Sequence, residues 1–297
     1  MRVLLFGGAG QIGTELRALA LPQGVEVVAP PRSVIDLEDA DAIERIIAAE
    51  TWSAVINAAG YTNVDRAESE ETAAFAVNAM AAACIAAETG VRRIPMIQIS
   101  TDYVFDGQKG ALYVEDDVAA PVNTYGRSKL AGENAVRAGN RQHIILRTAW
   151  VYSPYGKNFV RTILRLAQER DRLTVVADQR GSPTAARDIA KACLDVALAC
   201  AAGPERAPYG VYHLAGAGEA SWFEFATAIV EAAADRLHRS PEVVPIRTID
   251  YPTSALRPAD TRLDCTAIVR GFGVTLQPWR CALAETVDRV LIGNDIP

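Results

Sequence analysis

Apolar positions recur along this chain in two alternating patterns. Short unbroken runs of branched residues fit strands covered on both faces, and runs with apolar residues every three or four positions fit helices. Arg2-Val3-Leu4-Leu5-Phe6 is a run of the first kind, and a glycine-rich turn leads from it into a helix expected from Thr14 to about Ala20. Val25-Glu26-Val27-Val28-Ala29 reads as a second strand. The stretch from Ala40 to Ala49 has helical spacing that would bury Ile43, Ile46 and Ile47, and Val55-Ile56-Asn57-Ala58-Ala59 follows as another strand. A long alanine-rich helix is expected from about Ser69 to Glu88, with Gly90 as its left-handed C-cap. Met96-Ile97-Gln98-Ile99 then runs into Ser100-Thr101-Asp102, a helix carries Tyr125 and Lys129, and Ile144-Ile145-Leu146-Arg147 reads as the sixth strand.

Strands alternating with helices predict an α/β fold, a Rossmann-type doubly wound parallel sheet with helices on both faces. The regular alternation ends near Trp150, where loops rich in Pro, Gly and Arg begin. Residues 1–149 are therefore expected to form the dinucleotide-binding part, and 150–297 mainly a smaller mixed α/β substrate domain. Tyr212-His213-Leu214-Ala215 is expected to return to the sheet as a later strand.

The turn after the first strand reads Gly7-Gly8-Ala9-Gly10-Gln11-Ile12-Gly13. Gly7 would allow the tight turn, Gly10 the approach of a pyrophosphate, and Gly13 close packing of the helix whose N-terminal amides face the anion. Tyr125 and Lys129 are four residues apart, so on a helix they share one face. A lysine beside the phenol is expected to lower its pKa and make it a proton donor near neutral pH. Ligands in open α/β sheets bind at the carboxyl ends of strands, which is where Thr101 falls.

Composition narrows the function classes. The chain has 297 residues and 50% hydrophobic positions, ample for a core, and its formal charge of −6 argues against a nucleic-acid footprint. No signal peptide is recognisable and no apolar stretch is expected to reach membrane-spanning length, so a cytoplasmic enzyme is expected. Five cysteines without metal or Cys-x-x-Cys spacing suit a reducing compartment, and three scattered histidines support neither a zinc site nor a hydrolase triad.

Several segments together resemble the dTDP-4-dehydrorhamnose reductases of the extended short-chain dehydrogenase/reductase superfamily. They are Gly7 to Gly13, Asn57 to Asp65, Ser100-Thr101-Asp102-Tyr103-Val104-Phe105-Asp106-Gly107, Tyr125 to Glu133, Arg147 to Tyr152, Asn158-Phe159, Asp178 to Thr184, and Arg257-Pro258. The resemblance implies reduction of a C4 ketone on a dTDP-sugar by hydride from NADPH, with NADH left open. Thr101 and Tyr125 would hydrogen-bond the ketone, Tyr125 would protonate it, and Lys129 would hold the nicotinamide ribose. Gln11, Ile12, Asp36, Leu37, Ala58, Ala59 and Tyr61 would lie along the cofactor. Asp36 is also a potential helix-start residue, and Asn78 would support the active site from the long helix. Thr62, Val64, Thr101, Asp102 and Trp150 would line the sugar pocket, and Asn158 and Arg257 would reach the diphosphate. Arg32 and Ser33, after the second strand, could grip a 2′-phosphate, which favours NADPH.

A nucleotide-sugar epimerase or 4,6-dehydratase would use the same Tyr/Lys pair. Dehydratases place an Asp-Glu pair after the threonine, whereas this chain has Asp102-Tyr103, which counts against that reading. A regulatory protein similar to the methionine adenosyltransferase subunit stays open, as does a homodimer. Some members dimerise around a magnesium ion held by glutamates, but no acidic cluster here commits the chain to a metal.

Overall fold

The computed structural model describes residues 1–238 and 241–292. The expected second unit, drawn to 297, ends outside the described residues. Six strands form one parallel sheet: β1 (Arg2–Phe6), β2 (Glu26–Val28), β3 (Ala54–Asn57), β4 (Met96–Thr101), β5 (His143–Thr148) and a returning strand, Gly210–His213. Their order is Gly210–His213, β5, β4, β3, β1, β2. The run Ile144 to Arg147 lies in β5 and is the fifth strand in chain order, one earlier than its expected place.

Both faces of the sheet are covered, which explains the unbroken apolar runs. Val3, Leu5, Ile56, Ile97 and Leu146 pack on one side with residues of the helix Ala186–Ala202. Leu4, Phe6, Val55 and Met96 pack on the other, against α2 (Ala40–Ala48), where Ile43 and Ile47 are buried and Ile46 is half-buried. β3 stops at Asn57 because its side chain turns inward, donating to Gln98 Oε1 at 2.8 Å and accepting from the Ala59 N–H at 3.2 Å.

The long alanine-rich helix runs over Glu71–Val91 with a π-helical turn at Ala76–Met80. It is 21 residues long and contains an 18-residue window with a mean hydropathy of 1.5, so by length and composition it does reach membrane-spanning dimensions, contrary to expectation. Its Ala81, Ala82, Ile85 and Ala86 are packed in the core beside Ile43 and Met96, as in a buried helix of a folded layer. Gly90 is not a left-handed cap: it lies inside the helix, and Arg93 takes the positive φ of 54° just beyond it. A Cβ at Gly90 would stand 2.1 Å from the Gly139 carbonyl, so this glycine permits helix crossing.

From Trp150 onward the chain builds a second core from the helices Phe159–Glu169, Trp222–Ala232 and Trp279–Ile292 and a parallel strand pair, Arg172–Val176 with Glu242–Ile246. Leu164, Leu173, Phe225, Ile229 and Leu283 fill it. The cleft between this core and the carboxyl ends of β1, β3 and β4 holds the site.

Candidate active site

The glycine turn is tighter than its spacing alone requires. Gly7 has φ +84°, and a Cβ there would lie 2.5 Å from the Ala59 backbone nitrogen. At Gly13 a Cβ would lie 2.2 Å from the Gly7 carbonyl, so the helix is pressed directly onto the turn. That helix, α1 (Gln11–Arg17), begins three residues before the expected Thr14. Gly10 occupies its N-cap and offers no side-chain acceptor, which leaves the first N–H groups turned toward the cleft for an anion.

The helix Thr124–Gly139 is started by Asn123, whose Oδ1 accepts from the Gly126 N–H at 2.8 Å. Tyr125 and Lys129 stand one turn apart on its cleft side. Lys129 is buried and donates from Nζ to the Ile99 carbonyl at 2.7 Å. Burial pushes its ammonium down to about 8, against the opposing charge of Glu133. Tyr125 departs from expectation: burial pushes its phenol up to about 12, and the opposing influence is its interaction with Thr101 rather than the lysine. The phenol therefore stays protonated across neutral pH, as a donor must.

Thr101 closes β4. Its hydroxyl donates to Asp102 Oδ1 at 3.0 Å and accepts from the Tyr103 N–H at 3.2 Å. Asp102 is buried, which raises its carboxyl to about 7, while hydrogen bonds from Thr261 and Thr101 oppose the shift. The Tyr103 ring stands edge-on to Tyr125, with centroids 5.9 Å apart.

These groups meet at one end of a cleft of about 1010 Å³ whose other end is the glycine turn. Gly7, Gly10, Gln11 and Ile12 line it, with Gly13 behind them. Arg32, Asp36 and Leu37 line the outer part, but Ser33 does not. Arg32 is 83% exposed, and Asp36 lies 4.0 Å away as its ion-pair partner. Asp36 does not start a helix: Asp39 caps α2, accepting from the Ala42 N–H at 3.0 Å. Ala58, Ala59 and Tyr61 line the floor. Asn78, in the π-helical turn, accepts from the Tyr61 N–H at 2.9 Å and donates to Ser128 Oγ at 2.9 Å, joining this loop to the helix of Tyr125.

Thr62, Val64, Thr101, Asp102 and Trp150 line the cleft as well. Asn158 also lines the cleft, but its Nδ2 donates to Gln11 Oε1 at 3.0 Å, which sets it beside the glycine turn. The structure does not bring Arg257 into the lining; it pairs with Asp65 at 2.7 Å. Among the described residues no group of three or more His, Cys, Asp or Glu is placed to hold a metal.

Sequence reasoning missed two residues of the site. Trp222 lines the cleft and stacks face to face on Trp150, and Thr261 donates to Asp102 from a segment far along the chain. The Ser221-x-x-Glu224 capping box marks Trp222 as the first residue of a helix, the one sequence signal that could have drawn notice to it. Thr261 carries none. Trp150 itself holds a positive φ of 47°.

Comparison with known proteins agrees with this geometry. Residues 1–292 match the family model described as the RmlD substrate binding domain. The chain belongs to this family. A relative from Sinorhizobium fredii, a dTDP-4-dehydrorhamnose reductase, is 43% identical over 99% of this chain and 100% of its own length. The crystal structure of a dTDP-4-dehydrorhamnose reductase from Clostridium acetobutylicum superposes with a TM-score of 0.90 at 33% identity, covering 98% of this chain and 99% of that one. One from Bacillus anthracis, in complex with NADP, gives 0.89 at 32% identity, covering 97% and 99%.

Proposed function

We propose that this protein reduces the C4 ketone of dTDP-4-dehydro-L-rhamnose to dTDP-L-rhamnose with hydride from NADPH, Tyr125 supplying the proton. The observation that carries the reading is the meeting of Thr101, Tyr125 and Lys129 at one end of a cleft whose other end is the Gly7–Gly13 turn. Hydride arriving at C4 leaves charge on the ketone oxygen. Hydroxyls of Tyr125 and Thr101 converge where that charge grows, as in an oxyanion hole, and Tyr125 transfers its proton to the alkoxide. Bound NADP(H) supplies the hydride. Lys129, fixed by the Ile99 carbonyl, has further N–H groups for the nicotinamide ribose and holds positive charge beside the phenol as it loses its proton. Arg32, which lines the cleft, would meet a 2′-phosphate, and the N-terminal amides of α1 the pyrophosphate.

In this reading residues 1–149 and the returning strand bind the dinucleotide, and 150–297 mainly the sugar nucleotide, in a cytoplasmic enzyme. The test is NADPH oxidation followed by absorbance, with dTDP-4-dehydrorhamnose generated in situ. Substrate-dependent oxidation with dTDP-rhamnose as product supports the assignment. NADPH binding without oxidation overturns it.

A further inference from the structure

Thr101 has one hydroxyl proton, and the structure offers it two destinations. In the reduction it must point at the ketone oxygen. Here it points at Asp102 Oδ1, 3.0 Å away, while the threonine oxygen accepts from the Tyr103 N–H at 3.2 Å and has the Tyr125 phenol as its neighbour on the cleft side. An ionised Asp102 can only accept, so it takes the threonine proton. A protonated Asp102 donates to Thr101 Oγ1 and releases that proton toward the cleft.

Which carboxyl oxygen faces Thr101 is fixed by the other side of Asp102. Thr261 Oγ1 donates to Oδ2, and both threonines and the carboxyl are almost fully buried. Thr261 is itself held: its N–H donates to the Arg180 carbonyl at 3.0 Å, and the Arg180 N–H donates to the Ala259 carbonyl at 2.7 Å. The next residue, Gly181, lies against the Trp150 indole, where a Cβ would come within 2.5 Å of the ring. A continuous set of contacts thus runs from the wall of the sugar pocket to the hydroxyl of Thr101.

We propose that Asp102 and Thr261 are positioning residues for the ketone reduction: Thr261 fixes the Asp102 carboxyl, and the carboxyl fixes the direction in which Thr101 sends its single proton. The inference rests on the reductase reading above. Neither residue transfers a proton to substrate in this scheme. Removing the Thr261 hydroxyl frees the carboxyl to rotate, and Thr101 loses its preset direction, while Thr261 itself is not among the residues that line the cleft.

The experiment uses the full-length chain, comparing Thr261→Val and Thr261→Ser with wild type by single-turnover NADPH oxidation, kcat, and KM for dTDP-4-dehydrorhamnose. Wild-type turnover is measured first, since its absence defeats the reductase reading and not this one. Given an active wild type, Thr261→Val is expected to slow hydride transfer on the order of tenfold to a hundredfold, the scale of small misplacements in an active site. KM and NADPH affinity stay near wild type, and Thr261→Ser, which restores the hydroxyl, recovers most of the rate. A risen KM at unchanged kcat would make Thr261 a pocket wall and overturn the proposal. Equal losses in Val and Ser would make it a packing residue and overturn the proposal as well. Should Thr261→Val not fold, Thr261→Ala removes the same hydroxyl and is read in the same way.

Discussion

The indoles of Trp150 and Trp222 lie face to face, with centroids 3.6 Å apart and planes 8° from parallel. Because Gly181 presses on Trp150 as well, Trp222 is the member of the stack whose removal leaves a ledge of the cleft unsupported. Trp222→Ala is expected to raise KM for the sugar nucleotide about threefold to tenfold, since a stacked aromatic pair contributes roughly 1 kcal/mol beyond its buried area. NADPH affinity, read by fluorescence titration, stays unchanged. Equal weakening of both ligands would count against a role confined to the sugar end.

Tyr125→Phe removes the proposed proton donor and little else. NADPH binding is expected to persist, while ketone reduction falls by roughly 100-fold or more, the usual weight of a positioned acid. Steady-state turnover near wild type would remove Tyr125 from the mechanism.

Arg32 is an exposed cation that lines the cleft, and its ion pair with Asp36 is long at 4.0 Å. Exposed pairs of this kind contribute little, so the guanidinium is available to a phosphate. Arg32→Ala is expected to weaken NADPH about tenfold, consistent with loss of one charge-assisted contact, and to leave NADH almost unaffected. Equal loss for both cofactors in parallel titrations would show that Arg32 does not read the 2′ position.

Burial raises Asp102 from 3.8 to about 7. The folded state therefore holds a proton that the unfolded chain has already released, so stability from this group is full below about pH 4 and is lost as pH rises through 7. Tyr103, pushed upward by burial, and Tyr125, at about 12, face the carboxyl and stay neutral across that window. Asp102→Asn cannot lose a proton. Urea unfolding of the two proteins is expected to show wild type losing ground to the variant between pH 4 and pH 8, by at most about 4 kcal/mol. Parallel curves across that range would mean that Asp102 is ionised throughout in the folded protein.

Gly90→Ala tests a point on which sequence and structure disagree. A left-handed cap and a crossing point both call for glycine; the place of Gly90 inside the helix and the Gly139 carbonyl 2.1 Å from an added Cβ make it a crossing point. Alanine there is expected to lower stability by about 1–3 kcal/mol through overpacking, seen in chemical denaturation. A neutral result would mean that the two helices separate without cost.

What the sequence revealed was what lies close together along it. The Gly7 to Gly13 spacing and the Tyr125/Lys129 pair are set within one turn and one helix, so their geometry is local and readable. The two-sided cover of the sheet was equally legible in Val3-Leu4-Leu5, whose successive side chains enter opposite cores. Thr261 and Trp222 reach the site from segments more than 90 residues beyond Tyr125, and no spacing rule connects them to it. The direction of the Tyr125 shift escapes the sequence for a related reason: how deeply the phenol is buried depends on distant residues, and here burial sets the direction while the lysine does not enter. The motif of Arg257 points to the diphosphate, and Asp65, close to it only in space, holds it elsewhere.

The last strand of the sheet, Gly210–His213, pairs with β5 in parallel, after the chain has left to build the second core and returned. During synthesis β5 must wait for it as a bare edge, and unpaired edges recruit other strands. Long-range parallel pairing is slow to form. A fragment ending at residue 149 would keep every glycine of the turn and both members of the Tyr/Lys pair, yet it would present that edge permanently. The half that carries the glycine turn is therefore not a unit that can be cut free: aggregation of the fragment, and a single cooperative unfolding transition in the whole chain, are what this order of strands entails.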